Sequence, residues 1–118
     1  MQLAQVNEHA SQLLAVLAQQ GHEQALPARQ AYERAMQHLG MRQYPEYRVH
    51  ADWPRRLDVA LLNLDRLHPL AKQLLIEAML VAVLHDEQMT VQEAELLRTF
   101  CACLHYPLPL LLCADEIN

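Results

Sequence analysis

The stretch from His68 to Leu104, HPLAKQLLIEAMLVAVLHDEQMTVQEAELLRTFCACL, constrains the fold most. Between Leu74 and Leu84 only Glu77 is polar. An apolar run of this kind on a helix is expected to be surrounded by other helices. Thr90-Val91-Gln92-Glu93 then matches a capping box, in which the Thr90 hydroxyl accepts from the Glu93 amide and the Glu93 carboxylate accepts from the Thr90 amide. The pattern predicts a helix over about 69–85, an acidic turn at Asp86-Glu87-Gln88-Met89, and a second helix over about 91–104 in a hairpin. Ala94, Leu97, Cys101 and Leu104 are its expected inward residues. In an antiparallel hairpin, Glu77 and Arg98 fall within roughly one turn of the same level, at about 1.5 Å per residue. A partly buried Glu77–Arg98 ion pair fixing the register is therefore expected. Glu95 and Arg98 are also spaced to pair on the surface.

The rest of the chain supplies helices to cover this core. Leu3, Val6, Ala10, Leu13, Leu14 and Leu17 form one stripe, giving a helix to Gln20. Gly21 is expected to stop it in a left-handed cap. A second helix is read over about 28–39, with Ala31, Tyr32, Ala35, Met36 and Leu39 on one face and Gly40 at its end. Residues 41–52 lack periodicity, and Tyr44 and Tyr47 flank Pro45. These rings are expected to pin the connection to the core. Asp52-Trp53-Pro54 opens a third helix, with Leu57, Ala60, Leu61, Leu64 and Leu67 inward. The fold expected is all-α: about five helices packed around a central helix at 69–85. The 118 residues fit one domain. Residues 1–52 read as an N-terminal helical pair and loop, and 53–113 as the core.

Composition narrows the function. Two glycines and 5% aromatics favour helix over sheet. Residues 1–59 hold six acids and six bases; residues 60–118 hold eight acids against Arg66, Lys72 and Arg98. No basic face is apparent, which argues against nucleic acid as a partner. The apolar runs are shorter than the roughly 20 residues that span a bilayer, so this segment does not insert directly. Cys101, Cys103 and Cys113 are an odd set in one corner, which fits reduced thiols rather than a disulfide framework. Cys101 and Cys103 stand about 200° apart on a helix and read as packing, not as a metal or redox pair. Seven scattered histidines include no HExxH, and His85-Asp86 alone sits beside an acid in a turn. Asp86, Glu87 and Glu93 converge on one turn and are the candidate ligands for a divalent cation. The turn is not an EF-hand, because the DxDxDG run is absent.

The pattern Leu57-x3-Leu61-x2-Leu64-x2-Leu67-x-Pro69-x2-Lys72, then Asp86, then Thr90-Val91-x-Glu93-x-Glu95-Leu96-Leu97-Arg98, then Cys101-x2-Leu104-x2-Pro107-x-Pro109, resembles a known region. It is similar to the C-terminal helical region of bacterial membrane zinc endopeptidases, the HtpX-like proteases with predicted chaperone function. That region is similar in turn to TerB-like helical domains. The resemblance covers about residues 20–110. It implies a non-catalytic regulatory or protein-interaction domain on the cytoplasmic side, tethered to the inner membrane through its parent. The zinc ligands and catalytic glutamate of the parent have no counterpart here. It also implies a suspected metal site at Asp86, Glu93 and Glu95, with Glu87 standing where such domains usually carry glycine. A TerB-like metal-binding module and a stand-alone helical adaptor are the alternatives. Upstream apolar spans with an HExxH motif would mark the parent.

Overall fold

The computed structural model describes residues 3–85 and 89–107. Its five helices are α1 (Leu3–Gly21), α2 (Ala25–His38), α3 (Trp53–Leu64), α4 (Pro69–Val83) and α5 (Val91–Cys103). The all-α architecture expected from the sequence is found, and the described residues contain no strand. α2 begins three residues earlier than its apolar face suggests, with Pro27 inside its first turn, where no amide is needed.

The centre of the molecule is α1. Residues 13–18 are all buried, so this segment is covered on every side. α1 packs against each of the other four helices. Ala10, Ala15 and Ala18 let those neighbours approach closely. Ala10, Leu13, Leu14 and Leu17 of the stripe read from the sequence are part of this surface, but Ala15, Val16 and Ala18 extend it around the helix. Each fully buried Leu contributes roughly 1.5–3 kcal/mol, so Leu13, Leu14 and Leu17 weigh heavily in the core.

α4 is less enclosed than its composition suggests. Leu75, Ile76, Met79, Ala82 and Val83 are buried, mainly against α2 and α1. Leu70 and Leu74 are 69% and 48% exposed. α4 and α5 touch along little of their length, since α1 takes the central place. The expected Glu77–Arg98 register pair does not form. Arg98 is exposed on α5, while Glu77 is half-buried on α4 with its Oε2 unpartnered. The hairpin geometry that would join them requires a closer α4–α5 contact than the fold provides. Nor does Glu95 pair with Arg98; both are exposed.

Two polar arrangements tie loops and helix ends to this frame. The Tyr32 hydroxyl donates to the Pro45 carbonyl at 2.6 Å, and the Tyr44 and Tyr47 rings pack on Tyr32. The tyrosines thus pin the 41–52 connection as expected, with buried Tyr32 as the post. Burial pushes the Tyr32 hydroxyl up to about 12. At the other arrangement Lys72 Nζ donates to Asp65 Oδ1 at 2.8 Å and to the Leu104 carbonyl at 2.7 Å. One ammonium thereby joins the ends of α3 and α5 to the start of α4. His105 Nδ1 lies 3.0 Å from the same Asp65 oxygen. The His105 bond, then the Lys72 bond, hold the Asp65 carboxyl below the usual carboxylate range.

Candidate functional site

The capping box at α5 forms as the sequence predicts. Thr90 Oγ1 accepts from the Glu93 amide at 3.0 Å, and Glu93 Oε1 accepts from the Thr90 amide at 2.9 Å. Glu93 is fully buried, which the capping role alone does not require. Its carboxylate lies against the backbone of Gly21 at the end of α1. A β-carbon at residue 21 would run into that carboxylate, meeting Oε2 first. Gly21 is therefore needed for close approach. Its φ is not positive, so the left-handed cap expected there is not what selects glycine. Gly40 does take that conformation, at φ 82°.

His22 follows Gly21. Its Nδ1 is 3.0 Å from the Ala18 carbonyl. A carbonyl oxygen only accepts, so Nδ1 carries the proton. This bond satisfies one of the carbonyls left over at the end of α1. The His85 ring, just beyond α4, lies with its centroid 5.7 Å from that of His22 and tilted by 58°. Both histidines are half-buried. The His22 and His85 rings thus approach each other close to the end of α1, where the Glu93 carboxylate lies against Gly21.

Of the predicted cation ligands, Asp86 and Glu87 lie outside the described residues, as does Cys113. Glu93 is at the corner. Glu95 is exposed, two residues further along α5 and therefore about 200° around the helix from Glu93. The Asp86, Glu93 and Glu95 set implied by the TerB-like resemblance cannot be carried over through Glu95. Among the described residues no group of three or more His, Cys, Asp or Glu side chains could hold a metal ion. The sequence reading singled out His85 only for its neighbour Asp86 and gave His22 no role. Their meeting has no local signature, because it depends on where the ends of α1 and α4 come together. The one available signal is that His22 follows directly on the end of α1 and His85 stands two residues beyond the end of α4.

The remaining chemistry is quiet. Cys101 is buried, and burial pushes its thiol up to about 11, away from the thiolate that a nucleophile requires. Cys103 is exposed. A cleft of about 500 Å³ between α1 and residues 45–50 is lined by Ser11, Tyr32, Tyr47, Arg48 and His50, among others. Ser11 donates to the Glu8 carbonyl within its own helix, and Tyr32 is committed to Pro45. A second cleft, of about 370 Å³, is lined by Asp58, Leu61, Leu62, Asp65, Cys103 and His105. Leu62 at its edge is 74% exposed. No helix among the described residues is long and apolar enough to cross a membrane.

Comparison with family models, with curated proteins and with solved structures finds no match to this chain.

Proposed function

We propose that this chain is a non-catalytic protein-interaction domain, an accessory module on the cytoplasmic side of a membrane-bound zinc metallopeptidase of the HtpX-like type. The observation that carries this reading is the apolar cleft between α3 and the end of α5, edged by Leu62. Exposed Val59 on the same helix, and Leu70 and Leu74 one turn apart on α4, add apolar surface that the fold itself does not use. Contiguous exposed apolar surface marks contact sites, and Val59 and Leu62 stand three residues apart on one face of α3. The occupant proposed is the body of the parent peptidase. A photo-crosslinking residue at position 62 of the full-length protein in membranes tests it. Crosslinks within the same polypeptide, lost in Leu62→Asp together with normal proteolysis, are expected. Crosslinks only to unrelated proteins would favour a stand-alone adaptor, and none at all would contradict the docking role.

A second reading is a divalent-cation module at the acidic turn. It rests on the resemblance to TerB-like domains, with the buried Glu93 at the start of α5 as its one described ligand.

A further inference from the structure

We infer that the cleft between α1 and residues 45–50 binds a small zwitterion, a molecule of amino-acid or dipeptide size carrying both an ammonium and a carboxylate group. The inference goes beyond the docking reading and does not rest on it, since the two clefts share no lining residue.

The first ground is a formed space. The cleft holds about 500 Å³, within the roughly 300–1,000 Å³ of small-molecule sites. Its base is fixed. Tyr32 is fully buried, its hydroxyl donates to the Pro45 carbonyl at 2.6 Å, and the Tyr47 ring packs on it at 5.7 Å. Ser11 on α1 is buried and donates to the Glu8 carbonyl at 2.7 Å. The walls are thus a helix and a loop already pinned to the core, so little has to be ordered on binding.

The second ground is charge. Glu8 and Glu46 line the cleft together with Arg48, and all three are exposed. Among the described residues neither Glu46 nor Arg48 has an ion-pair partner. Glu8 accepts from the Gln12 amide through Oε1 at 3.2 Å, and Oε2 takes no part in that bond. Opposite charges therefore border one space and leave each other unpaired. A singly charged ligand answers one sign and leaves the other. A zwitterion answers both: its carboxylate can take two parallel N–H···O bonds from the Arg48 guanidinium, and its ammonium donates to a glutamate. The third ground is the body of the ligand. Tyr47 and Pro45 add half-buried apolar surface to the same lining. Aromatic rings favour edge or offset contacts with one another, so an aromatic zwitterion is the apt probe.

The test is ¹H–¹⁵N NMR titration of the whole chain. L-phenylalanine and glycyl-L-phenylalanine are the zwitterions; 3-phenylpropionate keeps only the carboxylate and 2-phenylethylamine only the ammonium. Saturable shifts at residues 11–12 and 45–50 are expected with a zwitterion. Each singly charged analogue should bind about fivefold more weakly, the scale of one well-placed exposed ion pair. Preference for the dipeptide assigns the site to peptides, and preference for phenylalanine assigns it to free amino acids; either supports the inference. Arg48→Met should bind the zwitterion no better than wild type binds 2-phenylethylamine. The double variant Glu8→Gln/Glu46→Gln should bind it no better than wild type binds 3-phenylpropionate. All the substituted side chains are exposed, and thermal melting confirms that each variant folds. Equal binding of zwitterions and singly charged analogues would overturn the inference. So would undiminished binding by both variants, shifts confined to other surfaces, or no saturable shift with either zwitterion at millimolar concentration.

Discussion

The two ends of α4 solve the same problem with different chemistry. At its start, Asp65 from the end of α3, His105 from the end of α5 and the Leu104 carbonyl gather around Lys72. At its finish, His85 packs against the His22 ring just beyond α1, and the Glu93 carboxylate at the start of α5 lies against Gly21. Each corner gathers polar side chains where helix ends meet and backbone groups need partners. At the first corner the chain supplies its own cation, and the Lys72 ammonium is answered by two oxygens. At the second, Glu93 caps α5 with one oxygen and presses on Gly21, while His22 donates to the Ala18 carbonyl. The same local need is therefore met by a lysine lock at one end and by capping side chains at the other.

The largest expected effect separates packing from capping at the second corner. Gly21→Ala drives a β-carbon into the Glu93 carboxylate and displaces it from the Thr90 amide. Losing the cap costs about 1 kcal/mol, and overpacking adds about 1–3 kcal/mol. A clear fall in melting temperature is expected. An unchanged melt would mean that Glu93 does not press on Gly21. At the first corner, Lys72→Met leaves the Leu104 carbonyl without its donor, at a cost of about 1–3 kcal/mol. Denaturant titration of the two variants measures both losses.

A smaller effect concerns acid. Asp65 has its carboxyl held below the ordinary range by His105 and Lys72. A depressed carboxylate contributes stability above its unfolded pKa, near 3.9, and that contribution is lost as pH falls through the lower folded value. Wild type should therefore lose more stability than Asp65→Asn on acidification below about pH 4. Parallel losses in melting temperature for the two proteins would show that the Asp65 contacts are inert. The smallest effect is expected on the outer face of α4. Leu70→Lys and Leu74→Lys should change stability by no more than about 0.5 kcal/mol, because both side chains are exposed. A large loss would mean that α4 is enclosed after all.

Local signals were legible in the sequence, and distances between helices were not. Thr90 and Glu93 could be read as a capping box because both partners lie within one turn. The helix openings at Trp53 and Pro69 were marked by proline, and the inward residues of α5 followed from 3.6-residue spacing. The central position of α1 was missed because its stripe already satisfied a one-sided helix. Ala15, Val16 and Ala18 were the sign that it is buried all round. The Glu77–Arg98 pair failed because an antiparallel register says nothing about separation, and α1 occupies the space that α4 and α5 would need to meet. His22 and His85 escaped notice because their approach is set by three helices together. Gly21 was noticed for its backbone freedom, whereas its missing side chain is what the fold uses.

The most direct measurement is the imidazole nitrogen spectrum of the folded chain, recorded by ¹H–¹⁵N long-range NMR. The expected result is His22 in the Nδ1-protonated tautomer, donating to the Ala18 carbonyl. His22 protonated on Nε2 would contradict this account of how side chains complete the helix ends at this corner.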